Sequence, residues 1–279
     1  MIVLSHFQAK PILDAMRAGK EQVEVSLDLG LETAVIPLTP THITLPDGQA
    51  LTVPQLEEML ANELACYRVN NSEIEKIQYF SETLNRYYSL MPTIGAPTML
   101  ISGLSMHRIK DTEPHKDTLA KIKAVVPVTG RVLDTTMGLG YTAIAAAKTA
   151  AHVTTIELDP TVVEVCRSNP WSQELFTRPN ITRLIGDAFD RIEEFDNESF
   201  SRIVHDPPMF KLAGHLYSAD FYHELHRVLK TKGRVFHYIG DPKSKSGGTV
   251  TRGVVRRLHE VGFRRVKPWP RAFGVIAYK

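Results

Sequence analysis

Cysteine is nearly absent: Cys66 and Cys166 are the only two in 279 residues. So few cannot build a disulfide scaffold, and without a Cys-x-x-Cys pair there is no zinc site of that kind. Such sparse use fits a reducing, cytoplasmic setting. No apolar run approaches the ~18 residues of a membrane span. Residues 1–16 lack a basic stretch followed by an apolar one, which argues against a signal peptide. Internal repeats and low-complexity tracts are missing too. The chain is not short of apolar residues. They make up 43% of it, too many for a disordered protein. The length admits one large domain or a main domain with an appendage, and either can bury a core.

The formal net charge of +2 conceals an asymmetry. Residues 227–279 carry 14 Lys and Arg against only Asp241 and Glu260, while the preceding 226 residues hold 19 bases and 29 acids. A basic region of this kind is either a solvated face or a surface that meets a polyanion such as RNA or DNA.

The pattern changes near residue 110. Residues 1–110 read as a small α+β domain, which we assign to substrate recognition. It has a helix over 7–18, then a strand in which Val23, Val25, Leu27 and Leu29 alternate with polar residues. Pro37, Pro40 and Pro46 chop the next stretch into short strands. A helix over 54–66 puts Leu56, Met59, Leu60 and Leu64 on one face. Residues 74–80 and 86–91 read as the arms of a hairpin. These strands offer edges that can pair in a homodimer.

Residues 111–279 alternate strand and helix. Strands are expected over 131–134, 152–157, 181–185, 201–205 and 233–239, with helices over 141–150, 160–168, 219–229 and 249–261. A last strand pair, 263–267 and 274–278, closes the chain. This predicts an α/β fold: a Rossmann-like, doubly wound, mostly parallel seven-stranded sheet with an antiparallel C-terminal hairpin. Ligands of such sheets bind beyond the carboxyl ends of the strands.

The first of these strands ends in Asp134-Thr-Thr136-Met-Gly138-Leu-Gly140-Tyr-Thr142, and a helix follows. Glycines there let backbone approach a ligand, and the helix start offers free N–H groups. The second strand ends at Glu157, followed by Leu158-Asp159-Pro160. A carboxylate at that point grips a nucleotide ribose; the bland alternative is a helix cap. Gly186-Asp187-Ala188 follows the third strand and His205-Asp206-Pro207-Pro208-Met209-Phe210 the fourth. No lysine follows the glycines, so this is not a phosphate-binding P-loop. A dehydrogenase tolerates Ala143 in place of a third glycine but has no need of the later Asp motifs.

Over residues 115–279, four strand-end motifs in this order resemble those of class I S-adenosylmethionine-dependent methyltransferases. The whole chain, including 92–98 and 103–108, resembles a group of poorly characterised, archaeal-type predicted methyltransferases, some labelled spermidine-synthase-like. The resemblance implies S-adenosyl-L-methionine as cofactor and no metal. It puts Asp134 near the methionine amino group, and Gly138 and Gly140 beneath the cofactor. Glu157 holds the ribose hydroxyls, and Asp187 takes the adenine amino group between Leu158 and Ala188. Thr136 stands where the family usually has its first glycine. Asp206-Pro207-Pro208 resembles the signature of enzymes that methylate exocyclic amines. There the Asp, which also borders the cofactor, and a proline carbonyl accept from the target NH2. The aromatic that follows in that signature is displaced by one, to Phe210, so either Phe210 turns in or the target is a flexible amine.

The expected activity is methylation of a nitrogen acceptor, in RNA through the basic C-terminal region. The rivals are an aminopropyltransferase of the spermidine-synthase type, which would use decarboxylated cofactor, and a non-catalytic nucleic-acid-binding protein on the same fold. Residues 241–252 read as a substrate loop whose lysines touch phosphates or stay solvated. Trp269 and Phe273 lie among Arg264, Arg265, Lys267 and Arg271, a pattern that suits single-stranded nucleic acid or a buried hairpin.

Overall fold

Residues 132–134 and 203–205, the carboxyl-terminal parts of two strands, are all buried, as in a parallel strand covered on both faces. The computed structural model describes residues 1–242, 244 and 247–279 and divides into two units. One comprises Met1–His115 with Thr161–Gln173, and the other Lys116–Pro160 with Glu174–Lys279.

In the second unit the strands are β1 (Arg131–Asp134), β2 (His152–Glu157), β3 (Ile181–Ile185), β4 (Phe200–His205), β5 (Leu229–Tyr238), β6 (Arg265–Trp269) and β7 (Gly274–Tyr278). They form one sheet in the order β3-β2-β1-β4-β5-β7-β6. The first five are parallel; β7 runs antiparallel to β5, and β6 antiparallel to β7. This is the expected sheet, C-terminal hairpin included. Pro268 sits in β6 without breaking a ladder because β6 is an edge.

The helices that matter for the site are α1 (Pro114–Ala124), α2 (Tyr141–Ala147), α3 (Ala188–Arg191), α4 (Ala219–Val228) and α5 (Gly247–Glu260). Helix α4 turns Phe221, Tyr222, Leu225 and Val228 inward, and they pack with Ile203, Val235, Val254 and Leu258 in one core cluster. Strand register then sets the site. Asp134 lies beside Thr155 on β2 and Val204 on β4, and His205 beside His237 on β5. The parallel strands thus bring their chemistry-bearing ends to one edge.

The first unit is a set of small antiparallel sheets with the helices His6–Arg17 and Val53–Ala61 and nearly all of Pro160–Arg167. Ser5 and Gln8 close a capping box at the start of the first. Ile12, Leu13, Ile36, Ile43, Leu56 and Met59 are fully or nearly fully buried in its core. Trp171 donates its indole N–H to the Leu29 carbonyl at 3.1 Å, and Tyr79 bonds Ser168 at 2.6 Å, fixing 161–173 in this unit.

Three expectations need correction. The second helix stops at Ala61, leaving Leu64 exposed. Residues 74–80 are not one arm: Glu73–Lys76 pairs with Tyr67–Asn70, and only Gln78–Ser81 pairs with Arg86–Met91. Helix α5 opens at Gly247, two residues before the expected 249, and so takes up residues 247–252 of the segment read as a substrate loop. Lys243 and Lys245, the lysines assigned to phosphates, lie outside the described residues.

Candidate active site

The turn after β1 is built around Asp134, which is fully buried. Its Oδ2 accepts from Thr142 Oγ1 at 3.1 Å and Thr155 Oγ1 at 2.8 Å. Its Oδ1 is buried with no partner among the described residues. Burial therefore pushes its carboxyl up to about 8, against the pull of the two hydroxyls.

Gly138 and Gly140 have positive φ, +51° and +77°. A side chain on Gly140 would strike Leu175 at 2.8 Å, whereas one on Gly138 would enter open space. Gly138 donates its N–H to Glu157 Oε2 at 3.0 Å, and Asp159 donates to Oε1 at 3.1 Å. Glu157 so ties the glycine turn to the end of β2. Burial pushes it up to about 7 while these backbone N–H groups pull it down.

The residues expected on the adenine side are less uniform. Ala188 is buried and Leu158 is exposed. Asp187 caps α3 by accepting from Phe189 N–H at 2.9 Å, and His215 Nε2 lies 3.1 Å from its Oδ2. An adenine amino group would share this carboxylate with His215.

Beyond β4, Asp206 is the centre of an arrangement the sequence reading missed. Lys121 on α1 donates to Asp206 Oδ2 at 2.6 Å and pairs with Asp117 Oδ2 at 2.9 Å, its ammonium 5.0 Å from the centre of the Tyr238 ring. Lys121 and Asp117 are buried, and the Asp206 side chain is 19% exposed. Burial alone would neutralise Lys121, but Asp206 and Asp117 outweigh it and hold the ammonium above the ordinary lysine range. Burial also raises Asp206, and Lys121 opposes that rise. Asp206 Oδ1 has no hydrogen-bond partner among the described residues.

Thr136 does not act as a substitute glycine. Its hydroxyl donates to the Asp206 carbonyl at 2.8 Å, joining the turn after β1 to the end of β4. Tyr217 donates to the Pro208 carbonyl at 3.0 Å, while the Pro207 carbonyl has no partner among the described residues. Phe210, with Met209, is exposed at the rim, its ring edge-on to Tyr217 at 5.5 Å.

Behind this edge lies a neutral layer. His205 Nε2 donates to the Leu216 carbonyl at 3.0 Å, so its Nδ1 accepts from Thr135 at 2.7 Å. Burial pushes His205 down to about 3, and with both nitrogens bonded it is a packed residue. Asp117 and Lys121 are spaced like an ordinary exposed helical pair, and nothing in one sequence marks them as buried.

Residues 132–233 match a family model described as a methyltransferase domain. An acid and glycine turn after β1, an acid after β2 and Asp-Pro-Pro after β4, on this sheet order, define a class I S-adenosylmethionine-dependent methyltransferase. Over its full length the chain is 41% identical to the uncharacterized protein MJ1233 of Methanocaldococcus jannaschii, covering 97% of it, and belongs to the same family. The fold is similar to that of a spermidine synthase in complex with the transition-state analogue AdoDATO (TM-score 0.58, 19% identity, 76% of this chain and 78% of that one). It is also similar to spermidine synthase from Thermotoga maritima (TM-score 0.56, 18% identity, 76% of this chain and 77% of that one).

The residues fit the cofactor. Asp134 presents a buried oxygen without a partner, which an ammonium group satisfies. Open space lies over Gly138, where any other residue would project a side chain. Among the described residues no helix is long and apolar enough to cross a membrane.

Proposed function

We propose that this chain methylates a nitrogen of the exocyclic-amine type, carried by RNA, and that it works in the cytoplasm. The Asp206 carboxylate carries the reading: one oxygen is locked by Lys121, and the other accepts nothing at the ends of the strands. A carboxylate oxygen and the Pro207 carbonyl are two acceptors for the two hydrogens of an NH2 group. Held by both, the nitrogen keeps its lone pair for the methyl donor, and positioning is the main catalytic task.

Asp117 and Asp206 outnumber Lys121, so the site keeps one negative charge beside the acceptor. That charge stabilises the positive charge that grows on a nitrogen as it is methylated. Phe210 would cover a flat acceptor from the rim. When bound, S-adenosylmethionine supplies a methyl group on a sulfonium, a good leaving group. Asp134 would hold its amino group, Glu157 its ribose hydroxyls, and Asp187, Leu158 and Ala188 its adenine, over Thr136, Gly138 and Gly140.

The basic residues 227–279 support RNA as the carrier of the acceptor. Spermidine synthases share the fold, but the basic residues 227–279 disfavour a cationic polyamine as the acceptor. Both cysteines are buried and neither forms a disulfide, which suits a reducing compartment.

The test is incubation with labelled S-adenosylmethionine and bulk RNA, then nucleoside analysis by mass spectrometry. We expect a nucleoside methylated on an exocyclic nitrogen. Label on carbon or oxygen, or aminopropyl transfer from the decarboxylated cofactor, overturns the reading.

Cofactor affinity is expected to peak near pH 8. Below that value Asp134 must first lose the proton that burial makes it keep, so affinity falls as the pH drops from about 8. Above it the cofactor's amino group, with a pKa of about 7.7–8.0 for its kind, loses its own proton. Calorimetric titration across pH should trace the peak, and Asp134→Asn should flatten it. An unaltered profile in that variant removes Asp134 from cofactor binding.

A further inference from the structure

Helix α1 has two faces. Asp117 and Lys121 point inward to Asp206. Lys116, Leu119, Ala120 and Lys123, one helical repeat apart, line a concavity of about 210 Å³ together with Trp269 and Arg271. The described residues that line it include three cations and no carboxylate. Three cations surround an apolar floor, and Trp269 is anchored there by its indole N–H, which donates to the Ala120 carbonyl at 2.9 Å. Fixed in this way, a half-buried indole loses little freedom when a flat group stacks on it.

The concavity is at the reactive end of the sheet. Trp269 on β6 is in register with Gly274 on β7, and Gly274 with Tyr238 at the carboxyl end of β5. Tyr238 in turn lies under Lys121, the lysine that holds Asp206. The turn 270–272 therefore comes back to the edge where the parallel strands end.

We propose that this concavity is an acceptor subsite: Lys116, Lys123 and Arg271 bind a backbone phosphate of single-stranded RNA, and Trp269 stacks a neighbouring base. The inference rests on the RNA methyltransferase reading and adds where the RNA is held. Cations that track a backbone, with an aromatic that stacks any base, are what single strands bind to without regard to sequence. A polyamine would face three like charges here.

The test reads binding alone, without cofactor or turnover, so it fails independently of the methylation experiment. A labelled single-stranded RNA of about 12 nucleotides is titrated into the full chain by fluorescence anisotropy at several salt concentrations, the site size of such grooves being ~4–16 nucleotides. Lys123→Gln/Arg271→Gln should weaken binding at least tenfold and lower the log–log salt slope by about 1.4, two contacts at ~0.7 each. Trp269→Leu should weaken it about fivefold or more with the slope unchanged. The control is Lys230→Gln/Lys232→Gln, which removes the same charge from exposed residues of the same basic region, at the opposite end of β5. It should leave binding within about twofold.

Equal weakening by the control means diffuse attraction and overturns the subsite. Unchanged binding in Lys123→Gln/Arg271→Gln places the RNA elsewhere and overturns it as well, as does no RNA binding by the native chain. A mononucleotide that binds as tightly as the oligonucleotide overturns the assignment to a strand.

Discussion

Asp206→Asn is expected to lower kcat by at least a hundredfold, with S-adenosylmethionine affinity unchanged within a fewfold. An Asn side chain is the same shape, but it can no longer offer oxygen on both sides. Lys121 donates to the inner position at 2.6 Å and will take the amide oxygen. The amide NH2 then faces outward, toward an acceptor amine that also has only donors to present. An acceptor site becomes a donor–donor clash, and the loss matches the 10²–10³-fold typical of removing one aligned polar group from a reacting centre. The fold should survive, because Lys121 keeps its partner Asp117 at 2.9 Å. Steady-state kinetics beside calorimetric titration separate the two effects. Turnover within a fewfold of native would remove Asp206 from the chemistry.

Lys121→Met is expected to cost stability more than chemistry. It leaves Asp117, which is wholly buried, and Asp206 facing each other with no cation. Breaking a buried ion pair by deleting one partner costs about 3–5 kcal/mol. In a protein of this size that lowers the melting temperature by about 10 °C. Two further measurements separate this cause from lost packing. The deficit should shrink as the pH falls, because the stranded carboxylates can then take up protons. Lys121→Met/Asp117→Leu should recover most of the loss, since an apolar replacement of both partners is often neutral. A deficit that ignores pH and is not rescued points to packing instead of charge.

The sheet was legible because alternation of strand and helix repeats along the chain, and each parallel strand ends in, or within two residues is followed by, an acid or a glycine. Asp134, Gly138, Glu157 and Asp206 could be singled out for the same reason: they sit at or just beyond predictable strand ends. Lys121 was not, because its meaning depends on a contact 85 residues away in sequence. Thr136 was read only as standing where the family usually has its first glycine, whereas its hydroxyl also spans to the Asp206 carbonyl, a bond that the parallel pairing of β1 and β4 brings within reach. The N-terminal region was read least well. Its strands are two to six residues long, and such stretches pair according to tertiary packing more than local preference, as the split of 74–80 shows.

The division of α1 into an inner and an outer face also bears on how such a protein changes over generations. Lys121 and Asp117 are hemmed in by the groups they neutralise, so few replacements are tolerated there. Lys116, Leu119 and Lys123 are exposed, and a replacement among them alters the outer surface while the inner ion pairs stay intact. On the proposed reading, preference for one acceptor over another can drift on the same helix that keeps the Asp206 carboxylate in place.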